Sequence, residues 1–281
     1  MRASTQTKLR MARLASKIIC FCRGMVGLSS TSVFNRRSIS YELDLNEGID
    51  LAIFLFGSFE PDVVGYYSRV LGNGSVAIDV GANIGAHTLR MAELCGNSGM
   101  VIGVEPTGWA FNKLTRNMAL NPSLRSRIRA VQAFLGQSSN RSVPLKVCSS
   151  WPMNVRPNSK EARSKGKSHS TAGAIPTSLD ELVNQIGVPK LNLLKLDVDG
   201  HEFDVLLGAS KALRRFKPAI VIELAPYVFK DGHFSVIKIL QQLHDIGYKK
   251  IQLGRHQKNL RDAKKIVKII PQNGGINCLI Q

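Results

Sequence analysis

Asp79-Val80-Gly81-Ala82-Asn83-Ile84-Gly85 is the first stretch whose residue types could do chemistry. The apolar run Ser75 to Val80 feeds into it, and a helix-forming stretch, Gly85 to Cys95, follows with Gly96 as its stop. Strand, glycine turn and helix make a cradle for a nucleotide. Glycine lets backbone N–H groups approach a ligand, and a helix start favours negative groups. Glu105 lies 24 positions after Gly81, at the end of the next apolar run, Met100 to Val104. A carboxylate there can accept hydrogen bonds from both ribose hydroxyls. The dinucleotide fingerprint G-x-G-x-x-G is not met, because its three positions hold Gly81, Asn83 and Ala86. The competing structural reading is a plain strand–helix turn, and the spacing of Glu105 favours the nucleotide.

A second set of residues lies further along. In open α/β sheets ligands bind at the carboxyl ends of the strands. Asp197 ends the apolar run Leu191 to Leu196, and Glu223 lies near the end of Ala219 to Leu224. Both acids are expected on the side of the glycine turn. Either can act as a general base, and together they can hold a divalent cation. His201, in the first turn of the next helix, is a third candidate, since imidazole transfers protons near neutral pH. Which of the three is the base stays open. Structural readings compete: Asp199 and Glu202 have the spacing of an N-cap and its box partner, and His201 reads equally as a solvated helix-start residue. His87, His169, His233, His244 and His256 form no metal-ligand spacing, and Trp109 either flanks an adenine or packs in the core, with packing favoured.

These residues need elements that bring strand ends together. Thr107 can cap the helix after Glu105, with Phe111, Leu114 and Met118 on one face and Pro122 ending it. Ile128 to Ala133 reads as a third strand. Gln137 to Ser170, rich in Ser, Lys, Arg and Asn, reads as a loop or irregular insertion. Thr177-Ser178-Leu179-Asp180 has the form of a capping box. Phe203, Leu206 and Leu207 give a helix face, and Val236, Leu240 and Leu243 give another on Ser235 to Ile246, stopped by Gly247. Tyr248 to Leu253 and Ile276 to Ile280 read as the last strands. Repeated strand–helix units with buried strands predict a parallel α/β sheet.

Charge has to be located before it is interpreted. The 281-residue chain carries 38 Lys+Arg against 20 Asp+Glu, a net +18 that suggests a nucleic-acid binder. Residues 1–40 hold eight basic residues and no acid, residues 136–170 hold seven against Glu161, and residues 249–268 hold eight against Asp262. What remains is mildly acidic, so the excess belongs to an arm, an insertion and a late segment. That weakens a nucleic-acid groove and leaves anionic lipid, an anionic substrate or plain solvated surface. The arm resembles an organellar transit peptide and is a poor secretory signal, since Arg23 breaks its short apolar stretch Ile18 to Cys22. The apolar fraction of 44% supports a core, and no apolar run reaches the roughly 18 residues of a membrane span. Five cysteines, an odd number, fit reduced thiols in a cytoplasmic protein, with the arm peripheral to a membrane as the alternative.

An acid two positions before the glycine, with glycine at the first and fifth loop positions, resembles the S-adenosylmethionine loop of Rossmann-like methyltransferases. From about Tyr41 to Gln281 the sequence resembles the FkbM-type methyltransferase family. Beside the Asp79 loop, the resemblance rests on Glu105-Pro106, Asn117, Asn121-Pro122 and Leu179-Asp180-Glu181-Leu182. Its most distinctive piece is Lys195-Leu196-Asp197-Val198-Asp199-Gly200-His201-Glu202, followed by Leu206-Leu207-Gly208-Ala209. It implies a class I Rossmann-like fold, a mostly parallel sheet with one antiparallel C-terminal strand, Ile276 to Ile280. It implies transfer of a methyl group from S-adenosylmethionine, usually to a hydroxyl of a small molecule, sugar or glycan. The expected cofactor set is Asp79, Gly81, Asn83, Gly85, Glu105 and Ala133, with Asp79 placing negative charge near the methionine ammonium. The expected organisation is a basic arm (1–40), a helical cap segment (41–74) and a methyltransferase domain (75–281) carrying the basic insertion (about 137–170). Two alternatives remain. One is a nucleic-acid methyltransferase, against which Asp197-Val198-Asp199-Gly200 stands where an Asn/Asp-Pro-Pro-aromatic turn holds a flipped base. The other is a non-catalytic protein of the same fold on a membrane surface.

Overall fold

The computed structural model describes residues 5–154, 166–228, 233–271 and 274–281. Arg2 of the basic arm and Arg156, Lys160, Glu161, Arg163 and Lys165 of the insertion lie outside the described residues. The chain opens with α1 (Thr5–Met25), the hairpin β1 (Thr31–Arg36) and β2 (Ile39–Asp44), and the helices α2 (Gly48–Phe56) and α3 (Pro61–Tyr67). Then come β3 (Val76–Val80), α4 (Ala86–Leu94), β4 (Met100–Val104), α5 (Gly108–Ala119), α6 (Pro122–Arg125), β5 (Ile128–Val131) and β6 (Ala133–Leu135). The middle holds β7 (Lys146–Ser150), β8 (Lys167–Ser170), β9 (Ile175–Thr177), α7 (Leu179–Ile186) and β10 (Leu193–Leu196). Last are α8 (Glu202–Leu207), α9 (Ser210–Phe216), β11 (Ala219–Leu224), α10 (His233–Ile246), β12 (Lys250–Leu253), β13 (His256–Asn259), α11 (Ala263–Val267) and β14 (Ile276–Ile280).

Eight strands form one sheet in the order β13-β12-β14-β11-β10-β3-β4-β5. The pairs β11·β10, β10·β3, β3·β4 and β4·β5 are parallel. β14 runs antiparallel to both of its neighbours, as expected for Ile276 to Ile280. Side chains alternate between two faces, as the pleat requires. Ile78, Val80, Leu194, Leu196, Ile220 and Ile222 meet α7 to α11, while Ala77, Val101, Leu193 and Val221 meet α3, α4, α5 and the β1–β2 hairpin. A sheet covered on both faces needs apolar strands throughout, which is why VAIDV and AIVIEL were legible.

Several local expectations shift. β13, a polar edge strand paired with β12, was not foreseen, nor was the β1–β2 hairpin. The third strand divides, because β5 joins the main sheet whereas β6 turns away to pair with β9. The insertion holds an antiparallel hairpin, β7–β8. The capping box falls one residue later than its expected frame: Ser178 and Glu181 satisfy each other's backbone. Asn117 and Asn121 have a clear use, since their side chains bond the free edge of β2 at Glu42 and Ser40, and Asn117 also holds the Ile84 carbonyl at 2.9 Å. Through Asn117 the N-terminal hairpin braces the glycine loop.

Candidate active site

The carboxyl ends of β3, β4, β10 and β11 open on a cavity of about 770 Å³. Seven of the nine expected site residues line it: Gly81, Asn83, Glu105, Ala133, Asp197, His201 and Glu223. Asp79 and Gly85 lie behind its wall. The wall is completed by Gly48, Ile49, Ala52 and Phe59 from the N-terminal segment and by Lys146 to Ser149 and Trp151 from the insertion.

Gly81 sits where only glycine fits. Its φ is +81°, and a Cβ there would lie 1.9 Å from the Asp197 carbonyl oxygen. The N–H groups of Gly81 and Ala82 both donate to the Val104 carbonyl at 3.0 Å, folding the loop back over β4. Asn83, at φ +49°, donates its N–H to Glu105 Oε2 at 3.0 Å. The other Glu105 oxygen accepts from the Thr107 N–H at 3.0 Å and its hydroxyl at 2.6 Å. Thr107 in turn caps α5 through Ala110. Burial pushes the Glu105 pKa up against these bonds. Gly85 has a packing job: a Cβ there would lie 2.7 Å from Leu114 Cδ1.

Asp79 is fully buried and does not face the cavity. Thr88 donates to its Oδ2 at 2.6 Å, and Lys195 Nζ lies 3.3 Å from its Oδ1. Strand register puts Lys195 of β10 directly beside Asp79 of β3. The same Nζ lies 3.6 Å from Asp197 Oδ2 on the cavity wall. The Asp79 charge is therefore spent on Lys195, and it is the lysine, not Asp79, that reaches the cavity wall. Burial opposes the Lys195 charge, but Asp79, Asp197 and Glu60 hold its pKa above the ordinary lysine value.

The remaining acids form a crowded group. Glu223 titrates at about 8, pushed up first by burial and then by the charges of Asp197, Glu60, Asp199 and Glu202. Asp199 is raised to about 7 by burial, Asp197 and Glu202. Burial raises Asp197 as well, against the pull of Lys195. Glu202 is buried and accepts from the N–H groups of Val198 and Gly200, each at 3.1 Å, so it pins the turn after Asp197. Asp199, at φ +48°, is not a helix cap, and His201 occupies that position instead. The His201 ring stands edge-on to Phe134, 5.2 Å between centroids, and burial lowers its pKa. The site includes residues the sequence reading passed over. His87 Nε2 lies 3.5 Å from Glu60 Oε2, its Nδ1 lies 3.3 Å from the Tyr67 hydroxyl, and Asn277 donates to Glu60 Oε1 at 3.2 Å. Lys195 carried a signal, a lysine inside an apolar strand, whereas Glu60 and His87 are joined only by the fold. Among the described residues no three His, Cys, Asp or Glu side chains converge as metal ligands, and no step is assigned to a divalent cation.

The insertion closes over the loop. Asn83 Nδ2 donates to the Ser149 carbonyl at 2.8 Å, and the half-buried Trp109 stacks on His169 at 4.5 Å, outside the core.

A sequence model of the methyltransferase FkbM domain matches residues 79–250. The chain is 33% identical over 165 residues to hexuronic acid methyltransferase AglP of Haloferax volcanii, a match covering 58% of this chain and 61% of the relative. It is 28% identical over 170 residues to methyltransferase sdnD of Sordaria araneosa, covering 52% of this chain and 64% of the relative. The chain thus spans less than two thirds of either relative's length. The crystal structure of methyltransferase FkbM from Methylobacillus flagellatus superposes with a TM-score of 0.45 at 14% identity, covering 78% of this chain and 53% of that one.

Proposed function

The chain belongs to the FkbM methyltransferase family, and from that premise we propose that it transfers a methyl group from S-adenosylmethionine to a hydroxyl of a neutral small molecule, sugar or glycan. One observation carries the reading: the glycine loop braced by Glu105 and the crowded acids Asp197 and Glu223 face a single cavity. When bound, S-adenosylmethionine supplies an electrophilic methyl on a positively charged sulfur. The residues fit it. Gly81 lets the loop turn tightly against the Asp197 carbonyl beside the cavity, Glu105 Oε2 accepts only the Asn83 N–H among the described residues and so keeps a lone pair at the end of β4, and the acids Glu60, Asp197 and Asp199 line the wall. The cofactor side is assigned to Gly81, Asn83, Glu105 and Ala133, with Asp79 committed to Lys195 behind the wall.

Glu223 is the base of this proposal. A base works best when its pKa lies near the working pH, and Glu223 titrates at about 8. Asp197 is tied to Lys195 and tunes Glu223 through its charge. Gly275 positions the carboxylate, since a Cβ there would lie 2.0 Å from Glu223 Oε1. Gly275→Ala is therefore expected to lower kcat by about 10²-fold with little change in KM, the cost of a misplaced reacting group. Steady-state kinetics check it, and an unchanged kcat would remove Gly275 from the assignment.

The acids also select the acceptor. A carboxylate or phosphate entering the cavity meets like charge, with Lys146 and Lys195 as the cations on the wall. This favours a neutral hydroxyl over a nucleic acid, and over the acid sugar in the AglP name. Calorimetric titration with S-adenosylmethionine tests the first half of the proposal. Micromolar binding is expected in the wild type, with at least a tenfold loss in Glu105→Ala, and NAD should not bind. No binding by folded protein would overturn it. Labelled-methyl transfer to a panel of neutral sugars, hexuronic acids and RNA tests the second half. Transfer to RNA alone would overturn the hydroxyl reading.

A further inference from the structure

α1 has two faces of different character. On the inner face the Ser16 hydroxyl donates to the Leu45 carbonyl at 2.8 Å, Ile19 and Cys20 pack on the core, and Leu9 and Ala12 line the cavity. On the outer face Met11, Leu14, Ile18, Phe21 and Met25 recur at intervals of three and four, with exposures between 54% and 73%. Five large apolar side chains at that spacing form a straight stripe roughly 20 Å long. Arg10 and Lys17, both exposed, flank it. The helix carries five Lys or Arg and no acid, and residues 1–40 carry no acid at all.

We propose that this outer face seats the protein on an anionic lipid bilayer. A stripe of large apolar side chains bordered by cations, with no acid, is the pattern of a helix lying in the plane of a membrane interface. No described helix is long and apolar enough to cross a membrane, so α1 lies on the bilayer. The spacing would also suit a coiled-coil partner, but the flanking charges argue against a second copy. Arg10 and Lys17 immediately precede stripe positions, where a dimer needs opposite charges across the seam, and the matching positions on a partner hold Ala15 and Cys22 in parallel pairing or the same cations in antiparallel pairing. Acidic headgroups supply what the helix lacks. Because Leu9 and Ala12 line the cavity from the inner face, docking brings the cavity wall within one helix diameter of lipid, about 10–12 Å.

Flotation of the full chain with phosphatidylcholine vesicles, with and without about three parts in ten phosphatidylserine, tests this at about 0.1 M salt. Wild type should float with the anionic vesicles and not with the neutral ones. Leu14→Ser with Phe21→Ser, and separately Arg10→Glu with Lys17→Glu, should each weaken partitioning roughly tenfold or more. All four side chains are exposed, so circular dichroism and S-adenosylmethionine binding should match wild type. Wild type that fails to float, or variants that float as well as wild type, would overturn the proposal. So would a dimer in sedimentation that Leu14→Ser with Phe21→Ser dissolves, which would give the face to a second copy. Each of these outcomes leaves the methyl-transfer proposal standing, because cofactor binding is read separately.

Discussion

Lys195→Met is expected to lower the free energy of unfolding by about 3–5 kcal/mol, the cost of removing one partner from a buried ion pair. Lys195 is 3% exposed and Asp79 fully buried, so water cannot replace the lost cation. Thr88 holds one Asp79 oxygen, and the other faces Lys195 across the β10·β3 pairing. Methionine fills similar volume, which keeps a cavity from accounting for the loss. The remaining Asp79 carboxylate is what destabilises the variant, so adding Asp79→Asn should restore most of the stability: asparagine keeps an acceptor for Thr88 without the charge. Urea unfolding of the four proteins in the cycle measures this directly. Against a total of roughly 5–15 kcal/mol the single variant should unfold at a visibly lower midpoint. A loss below about 1 kcal/mol, the scale of an exposed pair, would show that solvent reaches the network and that Asp79 is not committed to Lys195.

That pair also shows where sequence reading reached its limit. The parallel strands and the glycine loop were legible because their causes are local: apolar runs, a glycine turn, and an acid at the end of the next strand. Asp197 and Glu223 were placed at the cavity by a general property of parallel sheets. The fate of Asp79 was not legible. Its position before Gly81 pointed to the ligand, but strand register put a lysine beside it, and register between β3 and β10, 116 residues apart at Val76 and Asn192, is set by the whole sheet. The Glu60–His87 contact is a similar case, joining α3 to α4 across a covered face. β1, β2 and β13 were missed for the opposite reason. β1 and β13 are polar, TSVFNR and HQKN, and β2 is stabilised by the side chains of Asn117 and Asn121, which no local pattern announces.

Glu223→Gln is expected to lower kcat by about 10²–10⁴-fold, the usual contribution of a positioned base, while S-adenosylmethionine binding changes little. The pH profile separates it from the other candidates. Burial and the charges of Asp197, Glu60, Asp199 and Glu202 favour the protonated carboxyl, so Glu223 ionises late, at about 8. A base must be ionised to accept a proton. Wild-type kcat/KM should therefore climb tenfold per pH unit below that value and level off above it, and this limb should vanish in Glu223→Gln. Asp197→Asn removes the largest of the neighbouring charges that raise Glu223, so its limb should move to lower pH, with a reduced plateau and near-normal cofactor binding. If His201 were the base, the limb would fall below the ordinary imidazole value of about 6.5, since burial lowers that group, and Glu223→Gln would leave it in place. If Asp197 were the base, Asp197→Asn would abolish the limb instead of shifting it. One set of profiles on wild type and three variants, Glu223→Gln, Asp197→Asn and His201→Ala, thus assigns the proton acceptor by position on the pH axis as well as by rate.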